Sequence, residues 1–429
     1  MKNVSILDFG AAVSDRVQTA AIQNAIDACF LAGGGRVVIP CGVFLTGAVR
    51  LRSRVELYLE SGAVLRGSRD PADYDSFRSD LLEPLPGKVP PGTARSADPL
   101  SRWSNGLIRA FDAEDIAVTG EKGSYFWGSD VYDPEGEEDY RGPHGFSFWN
   151  CRGVRFSGYT FLDSSNWCHA LFGCQDITAR NLAVYGGHDG FDVRTCDNVL
   201  IEDSLFHTGD DCIAGFDNHD VTVRNCDFQT ACSVFRFGGN HVRVENCRSA
   251  GPSSFGFRGS LAGRRKELSL PTDASCRHRA HTAFNYYCDY RAEIRRTPGD
   301  ILFRNCSFSG ADQLILLEFD GKHRWCTNRP LASVSFEECS FEDLTDTGIL
   351  WGGAEDRVEY RLSRVRISCR PGAGGRPVLL CRNYKKILWE DVMLEGYDDP
   401  SLLVDGGGEA VFLRSTPVRL LDAGPLPAP

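Results

Sequence analysis

One short template returns along this chain and leaves few folds open to it. Ile177-x-x-x-Asn181, Val199-x-x-x-Asp203, Val221-x-x-x-Asn225 and Val242-x-x-x-Asn246 follow one another at intervals of 22, 22 and 21 residues. The same template returns at Ile301 to Asn305, Val334 to Glu338 and Ile387 to Asp391. Within each unit the apolar residues alternate, as in VTVRNC and VRVENC, which is the period of a strand. A repeat of 20–50 residues marks a stacked architecture. A unit this short, made of strands with almost no helical pattern, predicts an all-β parallel β-helix rather than a leucine-rich or helical array. The Asn at the fixed turn position is suited to stack its amide on the amide of the next rung. High glycine, 45 residues, fits a chain of many tight turns.

The chain reads as one parallel β-helix domain over residues 1–429, with its first coils in 1–70 and the clear repeats in 105–395. An amphipathic helix opens the chain, with Thr19 as its expected N-cap and Ile22, Ile26 and Phe30 on one face. Gly33, Gly34 and Gly35 end it. An open solenoid end exposes core, so this helix is the expected cap. The segments RVVIP, AVRL and VELYLE then read as strands. Residues 81–101 contain five prolines and read as a surface loop, and 128–143 read as a polar, acidic loop. Residues 259–300 read as an insert that interrupts the period. From Arg258 to Arg296 it carries nine Lys/Arg against four Asp/Glu. It is either a solvated loop or a flap that attracts an anionic substrate. Residues 366–376 read as a Gly/Pro loop, and 406–429 as terminal coil.

A spacing of 22 stacks residues into columns about 4.7–4.9 Å apart, the separation of adjacent strands. Asn166, His188, Asp210 and Cys232 share one column; Trp167, Asp189, Asp211 and Ser233 share the next. Asp192, Ala214, Arg236 and Arg258 share a third. Asp189 thus stacks under Asp211, with Asp210 beside them. Three clustered carboxylates do not all ionise cheaply, so one is expected to keep its proton. One protonated acid beside one ionised base is what glycoside hydrolysis requires. Adjacent residues of a regular strand face opposite ways, so the backbone is expected to turn at Gly209 if Asp210 and Asp211 are to act together. The remaining candidates have two readings each. His188 supports Asp210 or is a turn residue. Arg236 and Arg258 pair with Asp192 or bind a sugar carboxylate. Trp167 is core or a sugar platform, and His169 is a structural histidine or part of a cleft floor.

Other classes fit less well. The formal net charge of −11 argues against a nucleic-acid partner. No run of 18 apolar residues offers a membrane span. The opening MKNVSILDFGAAVSD lacks the basic and apolar regions of a signal peptide, so the expectation is a cytoplasmic protein, or a secreted one whose leader has been removed. The 17 cysteines include no CxxC pair, and those at 226, 247, 306 and 339 recur at one place in the repeat. That pattern predicts stacked buried thiols rather than disulfides or a metal centre. No cofactor or metal motif is evident, and oligomeric state is not legible.

At this point the sequence resembles the polygalacturonases and their relatives, glycoside hydrolase family 28. ILDFGA, TAAIQNAIDAC, AGGGRVVIPCGVFLTG and VELYLESGAVLRGS are similar to that family's opening, and RGPHGFSFWNC with LDSSNWCHALFGC follow in order. The most specific stretch is HDGFDVRTCDNVLIEDSLFHTGDDCIAGFDN. The family's Asn-Thr-Asp-Gly motif appears as Gly187-His188-Asp189-Gly190, and its Asp-Asp motif as Asp210-Asp211. The resemblance covers roughly residues 5–345. It implies a right-handed parallel β-helix and hydrolysis with inversion. Asp210 is then the general acid, and Asp189 and Asp211 activate water. His188, Asp192, Arg236, Arg258, Trp167 and His169 are the candidate substrate-binding residues. The implied partner is an anionic oligo- or polysaccharide related to pectin. Two departures stand out. The family's Gly-His-Gly falls on Ala231-Cys232-Ser233-Val234, and its Arg-Ile-Lys retains at best Arg258. Those losses favour a branched or mixed pectic substrate over plain polygalacturonan. Two alternatives stay open: a uronate lyase or epimerase using Ca²⁺ on the Asp cluster with an Arg base, and a non-catalytic glycan-binding β-helix.

Overall fold

The computed structural model describes residues 3–78, 104–138, 140–257, 277–288, 294–318, 329–422 and 424. The expected loop at 81–101 and candidate Arg258 lie outside these residues. The chain groups into two compact units, one of residues 1–210 with 255–277 and one of 211–254 with 278–429.

In the first unit every coil crosses three strand faces. One face stacks Asn3–Ser5, Gly35–Ile39, Val55–Leu59, Glu114–Gly120, Arg152–Ser157, Gln175–Arg180 and Asp197–Glu202 in parallel. A second stacks Val49–Arg50, Gly106–Phe111, His144–Trp149, His169–Phe172 and Phe191–Arg194. A third stacks Gly42–Thr46, Ala63–Gly67, Tyr125–Trp127, Thr160–Leu162, Ala183–Gly186 and Leu205–Thr208. Pairings such as Ile177 with Val199 and His169 with Phe191 keep the 22-residue step read from the sequence. The second unit repeats the plan. The first half of Ser233–Glu245 pairs with Ala280–Tyr286 and its second half with Gly299–Arg304. A third face runs from Asp227–Gln229 through Arg248–Ala250, Ser307–Ser309, Ser340–Leu344 and Arg366–Cys369 to Met393–Glu395. This is a parallel β-helix, as the template predicts.

The helix Thr19–Leu31 buries Ile22, Ala25, Ile26 and Cys29, with Phe30 half-buried. Its N-cap is Gln18, not Thr19. The Thr19 hydroxyl instead accepts the Gly47 N–H at 2.7 Å, tying the helix to the first coil. Gly33 and Gly34, with φ of 93° and 107°, end the helix as expected.

The repeated Asn is a turn residue. Asn181 and Asp203 in the first unit, and Asn225, Asn246 and Asn305 in the second, all have φ between 51° and 55°. Asn and Asp visit this left-handed region at least cost among residues with a Cβ. The amides also form the expected ladder. Asn246 Nδ2 donates to Asn225 Oδ1 at 3.2 Å, and Asn305 Nδ2 donates to Asn246 Oδ1 at 2.8 Å. Next to this ladder, Cys226, Cys247, Cys306 and Cys339 are buried free thiols. Contact with the neighbouring thiol, together with burial, pushes Cys247 and Cys306 up to about 12. A second column of buried thiols, Cys151, Cys174 and Cys196, lies in the first unit.

Four expectations need correcting. Residues 128–143 contain a strand, Tyr132–Glu137, bridged to Arg141. The insert at 259–300 contains Ala280–Tyr286, a full rung in register with Ser233–Phe237 and Ala311–Leu316. The Gly/Pro loop at 366–376 begins with strand Arg366–Cys369. The terminal coil holds strands Glu409–Leu413 and Arg419–Asp422. In each case a charged or short segment hides the strand.

A histidine packs among the core rings of the first unit. His169 is fully buried, stacked on Phe146 and Phe191 at 4.9 and 4.6 Å between centroids. Its ring nitrogens meet the Tyr159 hydroxyl at 2.8 Å and the Gly190 carbonyl at 3.0 Å. Burial holds its pKa down at about 3.

Two predictions follow from this architecture. Asn246→Ala removes both amide bonds and forces a left-handed Ala, lowering unfolding stability by about 2 kcal/mol; Asn246→Gly keeps the backbone free and costs about half that. Urea midpoints of the two variants test the order. His169 binds its proton in the unfolded chain first, near pH 6.5, so stability drops as pH falls from about 6.5 toward about 3. In His169→Gln the slope of stability against pH in that window is shallower, by at most about 1.4 kcal/mol per pH unit. Equal slopes in urea titrations would refute the assignment.

Candidate active site

Two short bends carry the motif acids. Gly187–Gly190 links strand Ala183–Gly186 to Phe191–Arg194, and Gly209–Cys212 follows strand Leu205–Thr208. The backbone does leave strand geometry at Gly209, as the sequence requires. The reason for glycine there is close approach. A Cβ on Gly209 would lie 2.3 Å from the Gly256 carbonyl oxygen and 2.9 Å from that of Gly187. The two bends of the first unit are therefore stacked directly, Gly209 on Gly187. The Thr208 hydroxyl donates to the Asp210 carbonyl at 2.6 Å and tightens the second bend.

In the first unit Asp189 is 3% exposed and His188 1%, while Asp210 is half-buried. His188 Nε2 lies 3.8 Å from Asp130 Oδ1. Asp192 has its partner on its own strand. Its carboxylate takes a two-pronged bond from Arg194, with Nε and Nη2 at 3.0 and 3.2 Å from its two oxygens. Arg194 stands two residues on along the same strand, hence on the same face. Its guanidinium lies over the Trp167 ring at 4.3 Å. Trp167 is buried in a cluster with Phe111, Trp149, Ala170 and Phe172, which places it in packed surroundings. His169 belongs to the core described above and points inward, so the structural reading of that residue is the right one.

In the second unit Asp211 is 2% exposed. Its Oδ1 accepts the Ser233 N–H at 3.0 Å, and Arg236 Nη1 lies 3.7 Å from its Oδ2. Both are interactions of an ionised carboxylate. Arg236 stacks on Tyr287, its guanidinium carbon 3.8 Å from the ring centre. The register that pairs Ala214 with Arg236 matches the sequence column. Between Gly215 and Asn218 the pairing slips by one residue, a bulge that accounts for the interval of 21. At the bulge, buried Asp217 accepts from Arg295 Nε at 2.9 Å and from the Arg295 N–H at 3.1 Å.

Sequence reasoning missed Arg194, Tyr287, Asp130 and the Asp217–Arg295 pair. The i, i+2 spacing of Asp192 and Arg194 was a usable signal. Tyr287, Asp130 and Arg295 come from segments between repeats, where no period reports their position.

The model of the right handed beta helix region matches residues 144–260. A probable polygalacturonase of Vitis vinifera is 25% identical over 241 residues, 51% of this chain and 46% of its own length. The exo-poly-alpha-D-galacturonosidase of Dickeya chrysanthemi is 46% identical over 79 residues, 18% of this chain and 13% of its own. The chain thus spans less than half the length of these curated relatives. Among solved structures, the hyperthermoactive exopolygalacturonase from Thermotoga maritima superposes with a TM-score of 0.64 at 18% identity, over 92% of each chain. Motif order, spacing and fold agree in making the chain similar to these polygalacturonases, on a right-handed parallel β-helix.

Proposed function

We propose that this protein is a glycoside hydrolase that cleaves pectin-related, anionic oligo- or polysaccharides by single displacement with inversion. Asp210 donates a proton to the leaving oxygen. Asp189 and Asp211 activate the attacking water. The observation that carries the reading is the contrast between neighbours. Asp211 is buried and held as a carboxylate by the Ser233 N–H and Arg236, the state a general base needs. Asp210, one residue earlier, sits half-exposed on its bend, where a glycan oxygen can reach it. Paired carboxyl groups in different surroundings are the usual means of separating acid from base. The named activities of the similar proteins give the substrate class. Arg236, mostly covered and stacked on Tyr287, adds a fixed positive charge next to the base. It suits a site that handles uronate carboxylates.

The test is a screen of defined pectic oligosaccharides, polygalacturonan and rhamnogalacturonan fragments among them, with the anomer of the new reducing end read by NMR. Inverted product is expected, and retained configuration would remove the single-displacement scheme. Asp210→Asn should lower kcat by about 10²–10⁴ with the thermal transition unchanged. Wild-type turnover in that variant would discard the assignment.

A further inference from the structure

The bend Gly187–Gly190 carries an imidazole that faces a carboxylate and that the acid and base roles above leave unused. The His188 side chain is fully covered, and its Nε2 faces Asp130 Oδ1 at 3.8 Å. Asp130 retains 41% of its side-chain exposure, so this carboxylate links the buried imidazole to solvent. Asp130 is clamped on both sides. Its own N–H donates to the Asp163 carbonyl at 2.9 Å. Before it, the Ser129 hydroxyl donates to the Gly67 carbonyl at 2.8 Å; after it, the Val131 N–H donates to Ser165 Oγ at 2.6 Å. Ser129 and Asp130 are both left-handed, with φ of 64° and 47°. The backbone is thus fixed in a conformation that aims Asp130 at His188.

His188 and Asp210 occupy equivalent places in stacked bends. Gly186 pairs with Thr208, and Gly209 lies against Gly187. Their backbones are one rung apart, about 4.8 Å. The charged groups around His188 are Asp130, Asp189 next in the chain, Asp210 one rung on, and Arg141. The last donates through Nη1 to Asn166 Oδ1 at 3.1 Å, one rung before.

We propose that Asp130 and His188 form a carboxylate–imidazole pair that positions Asp210 and stabilises it as it loses its proton. The inference rests on the reading of Asp210 as the acid. The proton that moves is that of Asp210, which passes to the leaving glycosidic oxygen as the bond to carbon breaks. Negative charge then grows on the Asp210 carboxyl. An imidazolium fixed by Asp130 meets that charge without reorganising and keeps its own proton throughout. Asp130 in turn balances the imidazolium, so the ground state carries no isolated buried cation.

Asp130→Asn tests this with little risk to the fold, because Asn keeps the left-handed backbone and its N–H bond. On oligogalacturonide or rhamnogalacturonan fragments, kcat is expected to fall about tenfold or more with KM within about twofold. The pH profile of kcat should shift as well, and His188→Gln should behave alike. Independently of turnover, the imidazole titration of His188, followed by NMR, should move to lower pH in Asp130→Asn, which loses the facing carboxylate. A His188 titration indifferent to Asp130→Asn would overturn the pair, whether or not a glycan is turned over. If Asp210→Asn is inactive while Asp130→Asn keeps the wild-type kcat and pH profile, the pair fails and the acid assignment stands. Full activity in Asp210→Asn removes the acid assignment itself.

Discussion

Parallel pairing between consecutive coils is the constraint on which everything else in this molecule rests. A strand that pairs in parallel with the strand one circuit earlier leaves its N–H and C=O groups satisfied only if the circuit length is kept. Fixing that length at 22 residues turns sequence separation into spatial address. Ile177 meets Val199, His169 meets Phe191 and Ala183 meets Leu205 for the same reason. Side chains then face their counterparts column by column. The amides of Asn225, Asn246 and Asn305, the thiols of Cys226, Cys247, Cys306 and Cys339, and the rings of Phe146, His169 and Phe191 are three chemically different outcomes of one rule.

The same rule explains how polar residues are tolerated inside. His169 sits among rings because its two nitrogens have partners, the Tyr159 hydroxyl and the Gly190 carbonyl. Asp211 is buried because a backbone N–H one rung on and a guanidinium meet its oxygens. Asp192 is buried because Arg194 closes on both of its oxygens. Most of these partners are supplied by the next rung or by the next residue on the same face; Tyr159 stands 10 residues before His169. Burial of charge here is local and paired, as the cost of an isolated ion requires.

What was legible in the sequence was what obeys the count. The strands and the pairing of Ala214 with Arg236 were readable from the 22-residue step, and the turn Asn and the thiol column from their fixed place in the repeat template. What was not legible lies where the count does not run. Thr19 looked like a cap because its chemistry allows one, yet the Gly47 N–H claims its oxygen. Column arithmetic treats only vertical neighbours, so it overlooked Arg194, which bonds Asp192 from its own strand. Ala280–Tyr286 was hidden inside a basic insert, and its pairing with Ser233–Phe237 spans about 50 residues with no periodic cue. Asp130 comes from a segment between repeats, so nothing in the sequence tied it to His188.

The slip between Gly215 and Asn218 bears on how such a chain changes over generations. Extra residues in the turns leave the strands in register, as where Val242 pairs with Ile301 and Ile301 with Val334, whereas a change within a paired strand shifts every later pairing. Here one residue has been dropped from a circuit and the error has been confined to a kink held by Asp217 and Arg295. Such kinks act as punctuation. They let the number of letters per line vary while the margins stay aligned, as the pairings on either side of the slip do here.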